Sequence, residues 1–111
     1  MKKIYNNIIP FKGYTAMCLW PFIFVRNDEA EKFSAQTERH ENIHGAQQRE
    51  LLLVFFLLLY GIEWLVKLCH YRNRITAYKN ISFEREAYAN QHDVTYTDNR
   101  KPFAWIRYIK Q

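Results

Sequence analysis

The sequence predicts an α+β fold, mainly helical, in which a short N-terminal strand pair packs on a helical core. Three observations predict it. Aromatic and β-branched residues gather in two runs on either side of Pro21, Tyr14 to Trp20 and Phe22 to Arg26, a composition that suits a pleated surface. His40-Glu41-Asn42-Ile43-His44 spaces two histidines four apart, so on a helix both imidazoles lie on one face. Ser82 stands before Phe83 to Asn90, a polar cap followed by a short amphipathic stretch.

With 111 residues the chain reads as one domain. Residues 1–30 hold the strand pair, 35–71 a metal helix and an apolar helix, and 82–111 the third-ligand helix and a C-terminal helix. Hydrophobic residues make up 49% and aromatics 17%, which excludes a disordered chain. Sixteen Lys and Arg against eleven Asp and Glu give a net charge of +5. Apart from Lys2-Lys3, Arg72/Arg74 and Arg100-Lys101 the cations are scattered. They read as a solvated surface, and no nucleic-acid partner is expected.

Residues 1–13 are mixed and end in the turn-like Pro10-Phe11-Lys12-Gly13. Pro21 lacks a ladder donor and belongs at an edge, a bulge or a break. One strand of the pair is a candidate for aligning an extended peptide, and the plainer reading is a strand that covers the core. Cys18 and Cys69 are both expected as small buried hydrophobes rather than a disulfide. Met1-Lys2-Lys3 resembles a signal n-region, but Asn6, Asn7, Pro10, Lys12 and Gly13 interrupt any apolar region after it, so no cleaved signal peptide is expected.

Ser34 and Thr37 are acceptable N-caps for the motif helix, expected from about residue 35 into the low fifties. Gly45 follows His44, where substrate or a packed neighbour can approach closely. Leu51 to Ile62 is apolar on every side and too short alone to cross a bilayer, which takes about 20 residues. Three readings stand: a central core helix, an oligomer interface and a membrane contact through 51–66. A bend near 53–61 is expected, with Gly61 a candidate. Tyr71-Arg72-Asn73-Arg74 ends the helix, and 75–81 reads as a connection. Asp98 to Pro102 is a break, after which Phe103 to Ile109 forms a short amphipathic helix that closes the core.

The chemistry centres on the histidine pair. Two imidazoles on one helix face supply two ligands of a tetrahedral zinc. Glu41, about 100° round the helix from His40, reaches a metal-bound water without binding the metal, the arrangement of a zinc hydrolase. Candidates for a third ligand are Glu63, His70, Glu84, Glu86 and His92. Glu84 and Glu86 point about 200° apart on a helix, so only one can face the metal. Glu84 shares a face with Tyr88 and His92; it is the favoured ligand and Glu86 the alternative.

His40-Glu41-Asn42-Ile43-His44 followed by Glu84-Arg85-Glu86-Ala87-Tyr88 resembles the gluzincin-type metallopeptidases, in particular the CAAX-prenyl and heat-shock membrane endopeptidase branches. Their second motif is E-x-x-A-D, whose first Glu is the third zinc ligand. The resemblance implies that role for Glu84, and Tyr88 stands where the family has Asp. The chain is also similar to small bacterial proteins of minimal zincin type. The resemblance implies a zincin-like core holding Zn²⁺ through His40, His44 and Glu84, with Glu41 as general base toward a peptide or protein substrate. Tyr88, His92 or Tyr96 is then the candidate stabiliser of the transition state. The alternative is a catalytically silent zincin-like module, metal-binding and either interaction-forming or membrane-associated and regulatory. The expected location is cytoplasmic, peripheral to the inner membrane where 51–66 touches lipid, or self-associated through that stretch.

Overall fold

The computed structural model describes residues 1–109. Its fold is α+β, with a small N-terminal sheet packed on a long helix. The sheet has three strands rather than the expected pair. β1 (Lys2–Asn6), β2 (Ala16–Leu19) and β3 (Phe22–Arg26) lie in the order β1-β3-β2. β2 and β3 form the antiparallel hairpin anticipated around Pro21, while β1 pairs parallel to β3, from Lys2 opposite Phe22 to Asn6 opposite Arg26. β1 escapes the sequence because none of its five residues is buried. An edge strand bonded through its backbone carries no apolar period to read. Cys18, Ile23 and Val25 are the buried residues of the other two strands.

α1 spans Ala35–Tyr71. Ser34 is its N-cap, its hydroxyl accepting from the Thr37 N–H, which satisfies one of the first-turn donors. The helix breaks at Leu52, where φ is 61° and ψ 146°. That lies just ahead of the expected bend, and Gly61 stays helical. A leucine held there is strained by roughly 1–3 kcal/mol. The break divides a metal segment, 35–51, from an apolar one, 53–71.

The expected connection 75–81 contains a helix, α2 (Arg74–Lys79), capped by Asn73 accepting from the Thr76 N–H. α3 runs Ser82–Asn90 with Ile81 as N-cap. Ser82 is therefore inside the helix rather than its cap. Glu63 does the capping from α1: its carboxylate accepts from the Ser82 N–H at 2.7 Å and the Ser82 hydroxyl at 2.6 Å, an anion placed at a helix N-terminus. This also removes Glu63 as a metal ligand. A single turn, α4 (Tyr96–Asn99), and a 3₁₀ turn at Ala104–Tyr108 complete the described chain. The tail closes the core as expected: Phe83 packs between Phe56 and Trp105, at 4.7 Å from each ring.

The apolar segment is a core helix on one face only. Phe56 is buried, and Tyr60 and Trp64 are half-buried against Ile81, Phe83 and Trp105. Val54, Phe55, Leu58, Ile62, Leu65 and Val66 are exposed. By length and composition α1 is apolar enough to cross a membrane. Cys69 is exposed, contrary to the buried place expected for it, whereas Cys18 is buried.

Candidate metal centre

The site lies where the metal segment of α1 faces α3. His40 and His44, one turn apart, present their Nε2 atoms 3.2 Å from each other, and Glu84 Oε1 lies 3.1 Å from both. All three residues are buried, with 4–7% of their surface left exposed. Together they form a group able to hold a metal ion. Four tetrahedral ligands at 2.0–2.2 Å from an ion sit about 3.3 Å apart. The triangle already has nearly that spacing.

The hydrogen bonds show what those atoms offer. His44 Nδ1 donates to Gln47 Oε1 at 2.8 Å, and His40 Nδ1 to Gln91 Oε1 at 2.6 Å. The Gln47 amide is oriented by its other end, whose Nε2 donates to the Phe83 carbonyl and to Glu86 Oε1. An amide oxygen only accepts, so each Nδ1 carries its proton and each Nε2 turns a lone pair to the centre. Tyr60 donates to Glu84 Oε2 at 2.7 Å, leaving Oε1 for the centre. Two lone pairs and a carboxylate oxygen face one another in a buried space, an arrangement that requires a cation.

A proton on His44 is one cation that can serve. Burial disfavours a charged His44, but the Glu84 charge and hydrogen bond overcome it and raise the imidazole to about 9. Burial pushes the Glu84 carboxyl up, and His44 and His40 outweigh it, holding it well below the usual carboxylate range. A metal ion is the alternative occupant, and the imidazole–imidazole–carboxylate donor set fits one.

Glu41 is buried beside the triad. Burial raises it to about 7, with His44 and His40 opposing and Glu84 adding to the shift. Its carboxylate accepts from the Cys18 backbone of β2. Gln48 binds the same strand, donating to the Cys18 carbonyl and accepting from the Trp20 N–H. Thr15 bonds to β3, so by strand alternation residues 16, 18 and 20 point their backbone outward. β2 is thus an edge strand, but α1 side chains already occupy its outer edge at Cys18 and Trp20. The plainer reading, a strand that covers the core, fits there. Gly45 likewise lies under a packed neighbour: a Cβ on it would stand 2.7 Å from Met1 Cε.

The remaining expectations divide. Tyr88 belongs to the site, packing edge-on to His40 with ring centroids 4.6 Å apart. His92 does not; exposed, it hydrogen-bonds through Nδ1 to Gln36. Tyr96 donates to Glu86 at 2.7 Å, away from the triad. Glu86 itself is fully buried between Gln47, Tyr96 and Arg100, so it braces the site from behind and is not the third ligand. His70 packs edge-on against Tyr71 at the end of α1. Sequence reasoning missed Gln47, Gln91, Tyr60, Arg100 and Tyr78. Tyr78 joins Tyr88, and burial, with Glu84 and Glu41 adding to it, raises its phenol. Of these only Gln47, three residues after His44 on the same helix, carries a local signal.

Gln47→Met removes the acceptor that fixes the His44 ring and one donor to Glu86. Metal affinity is expected to fall about 10–100-fold, measured by competition with a chromophoric chelator. Unchanged affinity would show that the ring needs no such anchor.

No protein-family model, curated protein or solved structure matches this chain.

Proposed function

We propose that this protein is a zinc-dependent metallopeptidase of minimal gluzincin type. The observation that carries the proposal is the triangle of His40 Nε2, His44 Nε2 and Glu84 Oε1, with all edges 3.1–3.2 Å and both rings fixed by amide acceptors. Two imidazoles and a carboxylate form the ligand set of a catalytic zinc, which keeps one position open. Bound there, zinc supplies Lewis acidity: it makes water acidic near neutral pH and stabilises charge on a polarised carbonyl.

The chain's own groups supply the rest. Glu41, raised to about 7 by its burial, takes a proton from the attacking water and returns it to the leaving amine. Tyr60 holds the second Glu84 oxygen, so Oε1 is the atom that would be left for the ion. Tyr88, half-exposed at the His40 ring, is the one expected stabiliser that packs against the triad, since His92 bonds to Gln36 and Tyr96 to Glu86.

Glu41→Gln tests the assignment. Zinc content is expected to stay at the wild-type level while hydrolysis of a quenched fluorogenic peptide library falls about 10²–10⁴-fold. Wild-type rates for every cleaved peptide would remove Glu41 from the mechanism.

A second reading rests on the covered strand edge. With Cys18 and Trp20 paired to Gln48, the outer edge of β2 lacks free backbone groups there for an extended substrate. This supports a catalytically silent metal-binding module. Bound zinc without cleavage of any library peptide would favour it over the peptidase.

A further inference from the structure

We infer that the outer face of the apolar segment of α1 docks onto an anionic lipid bilayer, with the helix axis lying in the membrane plane. Val54, Phe55, Leu58, Ile62, Leu65 and Val66 recur at helical spacing on one side of the segment, each 50–73% exposed. They form a continuous apolar stripe with no charged residue in it. Soluble monomers rarely expose a contiguous apolar face of this extent.

The opposite face fixes the orientation. Phe56, Tyr60 and Trp64 pack against Ile81, Phe83 and Trp105, and Glu63 is bonded to Ser82. The helix is thus tied to the polar domain along its inner side and cannot be surrounded by lipid. An in-plane helix satisfies both faces at once: the domain covers one and acyl chains the other.

Charge selects the occupant. In sequence the stripe is flanked by exposed cations, Arg49 before Leu52 and Arg72 and Arg74 after Tyr71, on a chain of net charge +5. Anionic headgroups complement those ends. A second copy would bring another +5 against them, and the carboxylate of this segment, Glu63, is turned inward to Ser82. The inference stands apart from the chemistry of the metal centre.

The test is flotation of the full chain, diluted from mild detergent, with vesicles of 7:3 phosphatidylcholine to phosphatidylglycerol and with phosphatidylcholine alone. The protein is expected to float with the mixed vesicles. Leu58→Glu with Ile62→Glu should lower partitioning about tenfold or more, while the circular-dichroism melt stays unchanged because both positions are exposed. Phe55→Ser, a gentler change, should act in the same direction. Arg72→Gln with Arg74→Gln should lower binding to the mixed vesicles about fivefold per charge removed and leave binding to neutral ones unaltered. Failure to float overturns the inference, whether the protein is then a monomer or a dimer that Leu58→Glu/Ile62→Glu dissociates. So does flotation that none of the apolar-stripe variants weakens.

Discussion

Glu84→Ala is expected to abolish stoichiometric metal binding. The residue supplies one of the three atoms that face one another at the candidate centre, and its Oε1 is the one that touches both imidazoles. Structural zinc sites bind with apparent free energies of about 10–16 kcal/mol; losing one protein ligand of three removes roughly a third of that, an affinity loss of about a thousandfold. The measurement is metal analysis after gel filtration, with a chelator titration for the residual affinity. The variant also frees the Tyr60 hydroxyl from its acceptor and leaves two half-paired imidazoles in a buried space. Stability should therefore fall in the presence of zinc, and chelation should lower the thermal midpoint of the wild type but not that of the variant. Retention of a full zinc equivalent by Glu84→Ala would exclude a His40–His44–Glu84 centre.

Arg100→Met is expected to produce the largest loss of stability. The Arg100 guanidinium is almost fully buried and joins two carboxylates. It binds Glu50 through two nitrogens, at 2.7 and 3.1 Å, and Glu86 through Nε and Nη2. Glu86 has no exposed surface. Removing the cation leaves a buried, uncompensated charge, which costs about 3–5 kcal/mol. For a domain of this size each kcal/mol moves the midpoint by about 4–8 °C, so thermal denaturation should begin at least ~10 °C earlier. Adding Glu86→Gln to Arg100→Met should recover part of the loss, because the stranded charge is gone. Metal affinity is expected to fall with stability, since Glu86 orients Gln47 and Gln47 orients His44. A shift of only a degree or two would mean that water or another donor reaches Glu86 once Arg100 is gone.

Much of the site can be read along the chain. Four-residue spacing and 3.6 residues per turn bring His40 and His44 to one point. The same geometry forbids Glu84 and Glu86 from sharing a target. Residue order favours Glu84 but leaves Glu86 open, because the rotation of α3 against α1 depends on what the whole helix buries. Phe83 and Ala87 of α3, and Ile81 that caps it, are fully buried. With them inside, Glu84 meets the imidazoles while Glu86 turns to Arg100. His92 falls outside the site for a related reason: sharing a face with Glu84 does not put it in reach, because α3 ends at Asn90, before the residue that would continue that face.

The strand β1 and the helix α2 mark a second limit. β1 takes its place from backbone bonding to β3, and α2 buries little beyond Ala77, so neither shows an apolar period. Leu52 is a third case. No glycine or proline marks the break in α1, so local preference gives no reason to place it there; a strained φ at a leucine persists only because surrounding packing determines it.

The sequence by itself determined the histidine pair, the helix that carries it and the all-round apolar character of the segment after it, because each depends on spacing within a few residues. Tertiary structure settled that Glu84 rather than Glu86 faces the histidines, and it alone decided the amide acceptor from Gln91, the Glu50–Arg100–Glu86 brace and which side of the apolar segment is left bare. His40 meets Glu84 across 44 positions and Gln91 across 51, and Glu50 meets Arg100 across 50. Over such distances side chains meet only when helices pack, and packing is settled by the burial of the whole core rather than by any local pattern.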